Sequence, residues 1–110
     1  MTTSTTTPLT RITMFKIPSP ENQRKLVEAY ELLESEAEKD GKPYIISSRA
    51  AVVGEGEAGP RAKGYTVVAH QEFKDLEDMR FYDGECGAHL GVKKASKMLG
   101  VVEMPLVVYY

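Results

Sequence analysis

The sequence predicts an α+β domain with the element order β-α-β-β-α-α-β, a four-stranded antiparallel sheet with helices on one face. Three observations carry this. Two stretches repeat small and apolar residues at helical spacing, Leu26, Tyr30, Leu33 and Ala37 in one and Ala88, Val92, Ala95 and Leu99 in the other. Residues 11–17, 44–53 and 64–73 read as strands by their period-two alternation. Residues 101–110 are apolar at nearly every position. In this order the elements form a split βαβ, ferredoxin-like arrangement.

The first strand sends Thr13, Phe15 and Ile17 to one side and Ile12 and Met14 to the other, and Pro18 ends it because proline donates no ladder hydrogen bond. Ser19-Pro20-Glu21 then reads as a helix start, with a hydroxyl cap, proline at the first helical position and an acid at the positive end of the dipole. This helix is expected to run to about Lys39 and to stop at Gly41. Tyr30 lies in its apolar stripe, as a core ring or as a hydroxyl that reaches a ligand.

Pro43 opens the second strand. The run GEGEAGP at 54–60 and the three residues after it form a surface connection to the third. No helix follows those glycines and two glutamates interrupt them, so they do not cradle phosphate. In the third strand Tyr65, Val67, Ala69, Gln71 and Phe73 face one way, and Thr66, Val68, His70 and Glu72 the other. His70 with Glu72 is a base with its orienting carboxylate, or two polar residues near a strand end. Asp75 caps a short helix whose inner side carries Leu76, Met79 and either Tyr82 or Asp83.

The last strand poses a packing problem. Val102, Met104, Leu106, Val108 and Tyr110 fall on one side of it, and Val101, Pro105, Val107 and Tyr109 on the other. One layer of helices covers only one of these sides. The uncovered face marks an interface, and two sheets packed face to face as a two-fold homodimer would close it.

Composition limits the partners. A chain of 110 residues is one domain, here residues 10–110 behind a disordered, threonine-rich tail at 1–9. The net charge is -2 and no basic block is present, so nucleic acid is not an expected partner. No stretch reaches the ~20 apolar residues of a membrane span. The single cysteine, Cys86, cannot form an internal disulfide and points to a reducing, cytoplasmic setting. It is expected to be dispensable.

Chemistry concentrates in RFYDGECGAHL at 80–90, which holds one of the two histidines, the cysteine and a tyrosine. Gly84 and Gly87 would each cost a helix interior roughly 1 kcal/mol, so one helix is expected to end near Tyr82 and another to start near Ala88. In an unbroken helix Tyr82 and His89 would stand about 10 Å apart on one face; a break lets them approach. A neutral imidazole beside a phenol is a general base with a hydrogen-bond donor. The structural alternative is a surface imidazole and a half-buried ring.

These stretches resemble the stress-responsive dimeric α/β barrel family over about residues 10–110, and in particular its fungal members. RITMFKI at 11–17 is similar to the opening strand, and KGYT at 63–66 running into Phe73 to the third. Ala88-His89, followed by a helix and an apolar terminal strand, is similar to the family's most recognisable feature. The inserted loop and Phe81-Tyr82-Asp83 look fungal. The resemblance implies a homodimer whose eight strands form a barrel, with small cavities between sheet and helices. It implies no cofactor, and relatives among polyketide cyclases such as olivetolic acid cyclase. His89 matches the cyclase base, and Tyr82 the assisting tyrosine with a one-residue offset. Arg11 stands where the cyclase has a second pocket histidine.

The expected site is therefore His89 and Tyr82 as catalytic residues, with Arg11, Phe15, Tyr30 and Met79 contacting substrate and no metal. Such a site suits two functions. One is a cofactor-free aldol or Claisen cyclase, or a related lyase, acting on a polyketide-like molecule. The other is a non-catalytic stress-response protein or binder of small hydrophobic molecules.

Overall fold

The computed structural model describes residues 7–53 and 59–110. Residues 1–6 of the expected tail at 1–9 and the connection at 54–58 lie outside them, and the tail's expected boundary moves because Leu9 already pairs in the first strand. The elements are β1 (Leu9–Phe15), α1 (Pro20–Glu36), β2 (Glu38–Lys39), β3 (Lys42–Pro43), β4 (Ile45–Val52), β5 (Val67–Phe73), α2 (Leu76–Gly84), α3 (Gly87–Lys97) and β6 (Leu106–Tyr109). Among the described residues the main sheet is antiparallel with strand order β4-β5-β1-β6, so β1 lies inside it and β6 forms an edge. This is the ferredoxin-like fold.

The caps form as the side-chain chemistry requires. Ser19 Oγ accepts from the Asn22 N–H at 3.3 Å, with Pro20 at the first position of α1. The Asp75 carboxylate accepts from the Asp78 N–H at 2.9 Å at the head of α2. The stripe Leu26, Tyr30, Leu33 and Ala37 is buried, and it meets Phe15, Val67, Ala69 and Phe73 on the covered face of the sheet.

Four local expectations are corrected. The first concerns the end of α1, which stops at Glu36; Asp40 and Gly41, with φ of 55° and 76°, make the tight turn of a two-residue hairpin joining β2 to β3. The second concerns β4. Its alternation breaks at a bulge between Ile45 and Ser47, which puts Ile45 and Ser48 in the core and leaves Ile46 exposed. The Ser48 N–H is satisfied from α1 by the Glu34 carboxylate at 2.9 Å.

Third, the buried face of α3 is His89, Val92 and Ser96, turned from the expected Ala88, Val92, Ala95 and Leu99, with Ala95 exposed. Fourth, the terminal strand holds only Leu106–Tyr109. Gly100 and Glu103 have φ of 73° and 66°, and Pro105 offers no N–H, so residues 101–105 leave the sheet as a strap. The strap is tied to the end of β1 by the Val102 N–H on the Lys16 carbonyl at 2.8 Å and by a Lys16–Glu103 ion pair at 3.2 Å.

The sheet's second face carries no helix. Register puts Ile12 opposite Val108, Met14 opposite Leu106 and Val68, and Val68 opposite Ala51, forming an apolar band on that face. Leu106 and Val108 are 44% and 47% exposed, far more than core side chains. His70 and Glu72 share this face, away from the helices.

Candidate functional site

A cavity of about 690 Å³ lies between the covered face of the sheet and α3, with the strap as its outer wall. β1 contributes Arg11, Thr13 and Phe15, α1 contributes Tyr30, α3 contributes His89, Lys93 and Ser96, and the strap adds Val101, Met104 and Pro105. Most of this wall is apolar; Arg11, Asp83 and Lys93 bring charge to the end where α2 meets α3, and Lys97 and Glu103 to the end of α3 and the strap.

That junction positions His89, Asp83 and Lys93. Helix α2 ends at Gly84 and α3 starts at Gly87, and the last carbonyls of α2 have no partner within their own helix. The Glu85 and Cys86 N–H groups both donate to the Phe81 carbonyl, at 2.8 and 2.9 Å. The Tyr82 carbonyl accepts from His89 Nδ1 at 2.7 Å, and the Asp83 carbonyl from Lys93 Nζ at 2.7 Å. Since a carbonyl only accepts, Nδ1 carries the proton of the neutral ring, and Nε2 is the unprotonated nitrogen left to meet a ligand.

Burial, the largest influence on His89, lowers its pKa from the ordinary 6.5 to about 4. The Tyr82 carbonyl pulls upward, and the charges of Arg11 and Lys93 push down again. The imidazole is therefore neutral at physiological pH. It is held flat against the Tyr82 ring, with centroids 3.7 Å apart and planes inclined by 11°.

Arg11 is buried, and its guanidinium donates to Asp83 Oδ1 at 2.9 Å and to Thr13 Oγ1 at 3.3 Å. It also lies over the Tyr82 ring, 5.3 Å from the centroid. Lys93 Nζ approaches the same Asp83 oxygen at 3.5 Å.

Of the expected residues, His89, Arg11, Phe15 and Tyr30 line this cavity together. Tyr82 does not. It is fully buried behind the imidazole, against Phe73, and its hydroxyl has no hydrogen-bond partner among the described residues. The phenol that lines the cavity together with His89 is that of Tyr30, which comes from α1. Burial raises the pKa of both phenols, so both stay protonated donors. Met79 is also displaced: it is a core residue beside a separate cavity of about 300 Å³. Cys86 is buried at the junction. Lys93 and Ser96 were missed, although the i, i+4 and i+7 spacing from His89 could have found them.

The sequence model of the stress responsive A/B barrel domain matches residues 9–105. The chain belongs to that family. It is 44% identical over 84 residues to a fusaristatin A biosynthesis cluster protein of Gibberella zeae, a match covering 76% of this chain. It spans 59% of the length of that curated relative. Among solved structures, the A/B barrel fold aligns with a hydroxynitrile lyase from Passiflora edulis at a TM-score of 0.71 and 16% identity, covering 94% of this chain and 91% of the other. A dimeric ferredoxin-like protein of unknown function from Thermobifida fusca aligns at 0.71 and 12% identity, covering 96% and 91%. No helix among the described residues is long and apolar enough to cross a membrane.

Proposed function

We propose that this A/B barrel protein is a cofactor-free enzyme of secondary-metabolite biosynthesis that closes a ring in a small polyketide-like molecule. The observation that carries the reading is His89: a neutral imidazole, its tautomer set by the Tyr82 carbonyl, on the wall of a largely apolar cavity. Nε2 takes a proton from the carbon between two carbonyls. The enolate attacks a further carbonyl of the same molecule, and the new alkoxide takes the proton back from the imidazolium. Tyr30 donates to the developing oxyanion. The fusaristatin-cluster relative supports the biosynthetic setting, and the hydroxynitrile lyase is an enzyme built on this fold.

The same reading pairs two copies through their open sheet faces into an eight-stranded barrel, in the cytoplasm. The dimeric ferredoxin-like neighbour supports the pairing, and so does the apolar band. Each few hundred Å² of apolar sheet buried contributes several kcal/mol at ~25 cal/mol per Å², before the costs of association.

One observation favours a non-catalytic ligand binder instead. With a pKa near 4, His89 is a weak base, and its Nδ1 bond caps α2 whether or not chemistry occurs. The deciding experiment offers the purified protein a linear poly-β-keto acid and follows the cyclised product by absorbance and chromatography. Wild type should outpace buffer, and His89→Gln should cut the rate roughly 10²-fold, the usual worth of a positioned base. Wild type no faster than buffer would leave the binder reading in place.

A further inference from the structure

The charges around the cavity do not balance. Arg11, Lys93 and Lys97 stand on its wall against only Asp83 and Glu103. Glu103 is engaged by Lys16 at 3.2 Å. Asp83 alone answers both Arg11, at 2.9 Å, and Lys93, at 3.5 Å, through one oxygen. Exposure sharpens the mismatch: the Arg11 side chain is 6% exposed, whereas that of Asp83 is 53% exposed. Water screens the carboxylate far more than it screens the buried cation.

A buried guanidinium has five N–H donors in a planar fork. Asp83 and Thr13 each take one bond, both at long or ordinary distances. A cation desolvated this deeply stabilises the fold poorly unless its remaining donors are met, and its position on a cavity wall lets a ligand meet them. The adjoining wall is Phe15, Tyr30 and Val107, which suits an apolar body and not a second charge.

We propose that the cavity's ligand is an amphiphilic carboxylic acid, bound as its carboxylate by the Arg11 fork with Lys93 as a second contact, its apolar body lying along Phe15, Tyr30 and Val107. The proposal rests on the cavity being the ligand site and names the substrate class for it. Guanidinium and carboxylate match as a two-point pair, which fixes the ligand's direction as well as its affinity. One consequence bears on catalysis: an anion at Arg11 offsets the two cations that depress His89, so an acid substrate makes its own base stronger.

The test is a binding titration that needs no turnover. Decanoate, methyl decanoate and decan-1-ol are titrated into the full chain by calorimetry near neutral pH, below the micellar concentration of the acid. Wild type should bind decanoate about tenfold or more tighter than the ester or alcohol, which is ~1.4 kcal/mol. Arg11→Gln should abolish that preference and leave the alcohol's affinity nearly unchanged. Asp83→Asn removes the competing carboxylate and should tighten decanoate severalfold. It also keeps the proposal testable if Arg11→Gln does not fold. Equal binding of acid and alcohol by wild type, or weaker decanoate binding by Asp83→Asn, overturns the acid preference while the ring-closing reading stands. Binding of none of the three also overturns the acid proposal, and the ring-closing reading then stands or falls on its own turnover assay.

Discussion

The imidazole of His89 and the main chain of Tyr82 hold each other in place. The Nδ1–H donates to the Tyr82 carbonyl at 2.7 Å while the ring stacks on the Tyr82 phenol. The hydrogen bond sets which nitrogen is protonated and the stack sets the plane of the ring. Together they leave Nε2 as the one free polar atom of the side chain. The tyrosine thus acts through its carbonyl and its ring face. Its hydroxyl points elsewhere.

Stability should therefore depend on this ring in mild acid. His89 has a folded-state pKa near 4, below its ordinary 6.5, so between these values the unfolded chain binds a proton that the folded chain refuses. The contribution is fully present above pH ~6.5 and is lost as pH falls toward 4. Moving from pH 7 to pH 5 should cost about 2 kcal/mol from this residue alone. Urea unfolding at the two pH values would show the loss in wild type. In His89→Gln the same step should be smaller by that amount, and identical pH slopes would count against the buried neutral ring.

The two phenols should separate cleanly. Tyr82→Phe removes a buried hydroxyl that has no partner among the described residues, so it should leave stability unchanged or raise it by about 1 kcal/mol. It should also leave ring closure intact. Tyr30→Phe should keep the fold, since only one oxygen is lost from a cavity wall, but should slow turnover roughly 10²-fold, the usual loss on removing an oxyanion donor. The reverse pattern, a slow Tyr82→Phe and an unaffected Tyr30→Phe, would return the donor role to Tyr82.

Sedimentation gives the third check. Wild type should run as a dimer of this 12.2 kDa chain at micromolar concentration. Val108→Asp places a charge in the open apolar band, opposite Ile12, and should yield a folded monomer. Val107→Asp points to the other side, into the cavity, and should spoil ligand binding before it spoils association. A wild-type monomer would end the barrel reading.

Much of this architecture was legible because its cues are local. Ser19-Pro20 and Asp75 mark helix starts through their own side chains, and the alternation along β1 and β5 needs only the pleat. The misleading features were those that depend on distant partners. The bulge at Ile45 and Ser47 is stable because Glu34, from another element, satisfies the freed N–H. Asp40-Gly41 reads equally as a helix stop or a hairpin turn, and β3 pairing with β2 decides it. The rotation of α3 puts a histidine in the core at 2% exposure, against the polarity of the residue, because the Tyr82 carbonyl receives it there. For the same reason the residue types showed a tyrosine near His89, but only the fold showed that the cavity's phenol comes from α1.

The elbow at Glu85 and Cys86 is a spacer of fixed length. Two residues separate the end of α2 from the start of α3, and each residue added to or removed from a helix start swings the rest of that helix by about 100°. One insertion there would carry His89 off the Tyr82 carbonyl and out of the cavity while every side chain in the wall stayed the same. Under the proposed function, activity could therefore be switched off or redirected by a change of length alone, without replacing any residue of the cavity wall.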